Sequence, residues 1–214
     1  MNLDLRCYLV TSGSGYDTIN AAAEAARAGA GIIQVRGKDL STAELFSLTC
    51  AVADSVHTTN PQTRVVVNDR VDVVLAARDA GVPVHGVHLG QDDLPATNAR
   101  AVLGTEAIVG LSAGSLELVR QADTHREAID YLGVGPFRPT PTKGTGRQPL
   151  GLASYPQIVE ATRLPIVAIG GISLDDVEEL ARTGIAGVAL VRAIMDAEQP
   201  GDVVAEVLAR MQHT

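Results

Sequence analysis

Short apolar runs rich in valine and isoleucine recur along the chain, separated by longer segments with helical periodicity. Eight runs stand out: Leu5 to Thr11, Ile32 to Arg36, Arg64 to Asn68, Gly86 to Gly90, Ala107 to Ser112, Tyr131 to Pro136, Pro165 to Gly170 and Gly187 to Val191. β-Branched residues suit the crowded surface of a strand, and short apolar runs bounded by turn formers read as buried strands. The segments between them carry helix signals. Ser41-Thr42-Ala43-Glu44 has the spacing of a capping box, followed by Leu45, Leu48, Val52 and Val56 on one helical face. Ser173 is placed to cap a helix over Leu174 to Arg182, with Asp175 and Asp176 in the first turn, where the helix dipole favours negative charge. Ala28-Gly29, Ala80-Gly81 and Thr183-Gly184 each put glycine just past a helical stretch, as a left-handed cap requires.

Eight alternations of strand and helix predict an α/β fold with eight parallel strands closed as a (β/α)8 TIM barrel, one domain over residues 1–214. An open doubly wound sheet is the alternative, but no Gly-x-Gly-x-x-Gly turn follows the first strand. The longest irregular stretch, Pro136 to Pro149, reads as a lid.

Composition narrows the function. With 46% hydrophobic but only 3% aromatic residues, the core must be aliphatic, and 214 residues suffice to bury it. A net charge of −8 argues against nucleic acid or an anionic membrane as partner, so an anionic ligand needs a local pocket. No apolar run approaches the length of a membrane span, and the first residues lack the pattern of a signal peptide. Cys7 and Cys50 match no metal-ligand spacing and make no disulfide framework. A cytoplasmic protein acting on small molecules is expected, with a homo-oligomer left open.

In such a barrel the C-terminal strand ends converge on one mouth. Alternation along Ile32-Ile33-Gln34-Val35-Arg36-Gly37-Lys38 puts Gln34, Arg36 and Lys38 on one face, with Gln34 and Arg36 pointing into the barrel. A guanidinium there calls for a bound anion or an internal carboxylate. The third strand ends at Asn68-Asp69 and the fourth runs into Gln91-Asp92-Asp93, so Asp69 and Asp93 could form a carboxylate pair for Mg²⁺. Asp69 also fits a helix-starting role beside Arg70, and Asp92 is the competing carboxylate. Ser112 ends the fifth strand, with Ser115 as the other candidate helix cap; Thr140-Pro141-Thr142-Lys143 follows the sixth. Gly170-Gly171 after the seventh strand and Val191-Arg192 after the eighth fall where these barrels bind phosphate. His88 lies inside the fourth strand and reads as a half-buried packing residue. Two anion sites in one mouth result, one with cations and paired carboxylates, the other suited to a monophosphate. No Ser-His-Asp set is apparent, and neither cysteine sits at a strand end.

In order along nearly the whole chain, Gln34-Val35-Arg36-Gly37-Lys38, Val67-Asn68-Asp69-Arg70, Gly86-Val87-His88-Leu89-Gly90-Gln91-Asp92-Asp93, Gly110-Leu111-Ser112, Gly133-Val134-Gly135-Pro136 and Ala168-Ile169-Gly170-Gly171-Ile172 resemble the thiamine phosphate synthase family. The resemblance implies a transferase that joins an aminopyrimidinylmethyl diphosphate to a thiazole ethyl phosphate, releasing pyrophosphate, and CO₂ where the thiazole is carboxylated. It implies that Gln34, Val35, Arg36, Gly37, Lys38, Asn68, Ser112 and Lys143 hold the pyrimidine diphosphate. Arg36, Lys38, Ser112 and Lys143 would be the catalytic set, and Asp69 with Asp93 would bind Mg²⁺. Thr140, Pro141, Thr142, Gly170, Gly171, Val191 and Arg192 would face the thiazole phosphate. The chain departs from the family pattern at Arg192, where a small residue is usual, at Gly114, where histidine is common, and at Arg138, where an aromatic or aliphatic is expected. A related thiazole tautomerase would need only the monophosphate half, and an inactive thiamine phosphate-binding barrel is the third reading.

Overall fold

A computed structural model of the chain describes residues 3–139 and 148–212. Strands β1 (Cys7–Val10), β2 (Ile32–Val35), β3 (Arg64–Asn68), β4 (Gly86–Leu89), β5 (Ile108–Ala113), β6 (Tyr131–Val134), β7 (Ile166–Ile169) and β8 (Gly187–Leu190) form a closed barrel in chain order. Every neighbouring pair is parallel, including the seam, where Cys7 lies opposite Val188 and Leu9 opposite Leu190. That seam needs a glycine. A Cβ on Gly187 would lie 1.7 Å from the Leu5 carbonyl oxygen, so no other residue lets the last strand come so close to the first.

Alternation along each strand divides the apolar residues into two layers. Tyr8, Ile32, Val66, Ile108, Tyr131, Val167 and Ala189 fill the barrel interior. Leu9, Ile33, Val35, Val67, Val87, Val109 and Leu132 join the larger layer beneath the helices. The aliphatic core expected from composition is present, but two tyrosines stand inside the barrel itself, both fully buried.

The outer ring contains α1 (Tyr16–Arg27), α2 (Thr42–Thr59), α3 (Val71–Asp79), α4 (Ala96–Leu103), α5 (Leu116–Asp123), α6 (Tyr155–Glu160), α7 (Val177–Ala181), α8 (Arg192–Met195) and α9 (Pro200–Arg210). The capping box at Ser41 forms as its spacing predicts: Glu44 N donates to Ser41 Oγ at 3.3 Å, and Ser41 N donates to Glu44 Oε2 at 2.8 Å. Gly29, Gly81 and Gly184 all adopt positive φ and end their helices. The helix expected over Leu174 to Arg182 divides into a 3₁₀ turn (Leu174–Asp176) and α7. Strand β2 ends one residue sooner than its apolar pattern suggests, leaving Arg36 beyond the strand, at the mouth rather than inside the barrel. Among the described residues no helix is long and apolar enough to cross a membrane.

Candidate active site

The C-terminal mouth encloses a cavity of about 390 Å³. Gln34, Arg36, Asn68, His88 and Ser112 line one side, and Gly170, Gly171, Ser173, Val191 and Arg192 line the other. The two groups of candidate residues, more than 50 positions apart in the sequence, therefore share one space. Arg36 is half-buried, and among the described residues no carboxylate lies within ion-pair distance of it; its backbone N–H donates to Thr11 Oγ1 at 3.0 Å. The compensating internal carboxylate is thus absent from the described residues, which leaves the guanidinium for a ligand. Lys38 lies outside the cavity, its side chain about half exposed. Val35 is fully buried beneath the helices, so it can offer a ligand only its backbone. Gly37 makes room for Leu40, whose Cδ1 would lie 2.6 Å from an added Cβ.

A hydrogen-bonded chain crosses the floor of this cavity. Gln34 Nε2 donates to Tyr8 Oη at 2.6 Å, and Tyr8 Oη lies 2.7 Å from Tyr131 Oη. Tyr131 Oη is 3.0 Å from His88 Nδ1, and His88 Nε2 is 2.9 Å from Ser112 Oγ. Five strands thus contribute one side chain each. With the Gln34 amide N–H donating to Tyr8, the consistent order of donors runs from Tyr8 to Tyr131, from Tyr131 to His88 Nδ1, and from a His88 protonated at Nε2 to Ser112. In that order the Ser112 hydroxyl hydrogen is left for a group in the cavity. Burial pushes both phenols above their ordinary range, which keeps them protonated as the chain requires. His88 also stacks on Tyr131, with centroids 5.5 Å apart.

Tyr8 and Tyr131 are functional candidates that sequence reasoning missed, and His88 is more deeply buried and more fully engaged than a packing histidine. The available signal was glycine inside strands. A Cβ on Gly110 would lie 2.6 Å from His88 Nδ1, and one on Gly133 would lie 3.0 Å from His88 Cε1. These strand glycines are the space the imidazole and phenol occupy. Ser112 is free for this role because Ser115 takes the cap of α5, accepting from Leu118 N at 3.3 Å.

Beside the cavity, Asp69 and Asp93 come together. Asp69 has φ +64°, a left-handed conformation, while its N–H donates to His88 O at 2.8 Å. Asp93 and Asn68 both act on its carboxyl, and Lys38 Nζ is 3.9 Å from Asp69 Oδ2. Burial, and then the Asp93 carboxyl, push Asp69 up to about 6, with Lys38 acting in the opposite direction. Asp93 Oδ2 is fixed by Gly90 N–H at 2.6 Å, whereas Asp92 is exposed. Arg70 turns away to Asp72 and Thr42, so Asp69 is not tied to it. Two adjoining carboxylates, facing among the described residues the single cation Lys38 at 3.9 Å, suit a hard divalent cation. Among the described residues no cluster of three or more His, Cys, Asp or Glu exists, so such a cation would depend on substrate oxygens and water for its other ligands.

On the opposite rim, Gly170 and Gly171 have φ of +101° and +72°, a backbone path open to glycine. Val191 is half-buried and Arg192 exposed at the start of α8. Thr140, Pro141, Thr142 and Lys143, with most of the expected lid, lie outside the described residues.

The family model described as thiamine monophosphate synthase matches residues 7–194. A thiamine-phosphate synthase of Corynebacterium jeikeium is 53% identical over 199 residues, covering 93% of this chain and 91% of that protein. The corresponding protein of Methanobrevibacter smithii is 36% identical over 93% of this chain and 91% of its own length. The solved thiamine phosphate pyrophosphorylase of Pyrococcus furiosus superimposes with a TM-score of 0.84 at 31% identity, covering 98% of this chain and 96% of that one.

Proposed function

From the premise that the chain belongs to the thiamine monophosphate synthase family and is a transferase, we propose that it joins an aminopyrimidinylmethyl diphosphate to a thiazole ethyl phosphate, releasing pyrophosphate. The observation that carries this reading is the single cavity with Gln34, Arg36, Asn68 and Ser112 on one side and Gly170, Gly171, Val191 and Arg192 on the other. A one-substrate isomerase needs only the second group.

In this reading Gln34, held by Tyr8, orients the aminopyrimidine, and Asn68 bridges that substrate to Asp69. Asp69 and Asp93 would hold Mg²⁺. A bound Mg²⁺ supplies Lewis-acid neutralisation of the diphosphate. As the C–O bond breaks, negative charge grows on the departing pyrophosphate, and Arg36, Lys38 and Lys143 stabilise it where it forms. Ser112, supplied by His88 with a donor on its far side, points its own hydroxyl proton at the same anion. The aminopyrimidine carries the cation left behind. The Gly170-Gly171 turn, with the Val191 and Arg192 amides and Thr140, Pro141 and Thr142, grips the thiazole phosphate so that its ring nitrogen faces that cation; binding far from the reacting atoms thus supplies orientation. No protein nucleophile takes part. With a carboxylated thiazole, CO₂ is lost as well.

The test is product analysis with the purified protein, both substrates and Mg²⁺. Thiamine phosphate and pyrophosphate should form in equal amounts, and a chelator should stop both. Isomerisation of the thiazole without any coupling would support the tautomerase reading instead.

A further inference from the structure

Arg138, in the loop after β6, makes contacts that give it a role of its own. Its guanidinium makes a two-pronged pair with Asp176: Nη1 donates to Oδ2 at 2.5 Å and Nη2 to Oδ1 at 2.6 Å. Asp176 is 7% exposed, a depth at which an unpaired carboxylate is costly. The same Oδ2 accepts from Ser173 N at 2.8 Å and Ser173 Oγ at 2.7 Å. At the other end of the turn, Arg138 N donates to Gly170 O at 2.9 Å. One residue therefore holds both ends of the Gly170-Gly171-Ile172-Ser173 turn, the first by its backbone and the last through Asp176.

The turn needs such an outside hold. Gly170 and Gly171 have no side chains with which to anchor it, and both lie at positive φ. A Cβ on Gly171 would lie 3.1 Å from Arg138 Cβ, so the stem of the arginine also forms the wall behind the turn. All four turn residues line the cavity, whereas Arg138 does not. The capping box at Ser173 requires only one oxygen of Asp176; among the described residues the other is engaged by Arg138 alone.

We propose that Arg138, acting through Asp176, is a positioning residue that sets the glycine turn for the phosphate of the thiazole substrate; the inference rests on the assignment of that phosphate to this turn. Arginine suits the post because its planar fork fixes direction as well as charge, which lysine cannot reproduce. The effect should fall on one substrate. Displacement of the turn weakens the grip on the thiazole phosphate and leaves the diphosphate side of the mouth in place.

Steady-state kinetics of Arg138→Met, Arg138→Lys and Asp176→Asn, with thermal midpoints measured alongside, test this. Arg138→Met should raise KM for the thiazole phosphate about tenfold while KM for the pyrimidine diphosphate changes less than about twofold. Arg138→Lys, which keeps the charge and loses the fork, should recover less than half of that loss and serves if the Met variant does not fold. Adding Asp176→Asn to Arg138→Met should bring little further change, since both remove the same hold. Unchanged thiazole KM in Arg138→Met, or equal rises in both KM values that follow a fall in thermal midpoint, would overturn the positioning role. Gly171→Ala separates the two assignments. If it raises the thiazole KM while Arg138→Met does not, only the positioning role fails; if neither variant changes it, the phosphate assignment fails and the positioning role with it.

Discussion

Asp69 combines a backbone at φ +64° with a half-buried carboxyl in contact with Asp93, an arrangement whose electrostatic strain a cation would relieve. Asp69→Asn keeps a residue that tolerates the left-handed conformation, so the variant isolates the charge. Asp69→Asn and Asp93→Asn should each raise the Mg²⁺ concentration for half-maximal activity roughly tenfold or more, with little change for exposed Asp92→Asn. The sign of the pH dependence follows from the raised Asp69 value. Its carboxylate is present above about 6 and protonated below, so the Mg²⁺ requirement should climb as pH falls through 6. Stability runs the other way: the folded value exceeds the unfolded value, so the ionised group disfavours folding above about 6, and that penalty fades as pH drops toward 4. In chelator, Asp69→Asn should therefore melt higher than the parent at pH 7 and lose that advantage near pH 4. The floor chain makes a separate prediction. Tyr131→Phe strands hydrogen-bonding groups on Tyr8 and His88, costing about 1–3 kcal/mol, which thermal melting should register as a drop of a few degrees or more. The mouth residues Gln34, Arg36, Asn68 and Ser112 were legible as single polar positions at strand ends. Tyr8 and Tyr131 were not, because their partnership spans 123 positions and exists only once β1 and β6 face each other across the closed barrel.

At the scale of elements, strand number, order and direction were all readable from the apolar runs, and the boundaries moved by only a residue or two. Those small shifts matter at β2, where loss of one residue turns Arg36 from an interior group into a mouth group. The helix after β7 was less legible. Its spacing resembled an ordinary capped helix, but the buried Asp176 carboxylate is drawn into an ion pair with half-exposed Arg138 and the first turn tightens to 3₁₀. Packing between elements also sets where glycine is obligatory. Gly187→Ala would drive a methyl group to 1.7 Å from the Leu5 carbonyl at the seam of the barrel, so the strands must part. Soluble yield of that variant should collapse, or its melting point should fall by more than that of Tyr131→Phe; near-parental melting would show that the seam closes differently.

The whole molecule carries a net charge of −8, so the proposed reaction, with its two anionic substrates, requires local cations and backbone N–H groups gathered at one end of the barrel. The proposed function divides that end in two, with Arg36 and Lys38 serving the diphosphate and the Gly170-Gly171 turn serving the thiazole phosphate. Calorimetric titration with Mg²⁺ present measures it directly, using pyrophosphate and the thiazole phosphate singly and then together, on the parent and on Arg36→Ala. Both ligands should bind one chain at once, and Arg36→Ala should lose most pyrophosphate affinity while its thiazole phosphate affinity stays within about twofold of the parent. Mutual exclusion of the two ligands, or equal loss of both in Arg36→Ala, would contradict a mouth with two separate anion sites.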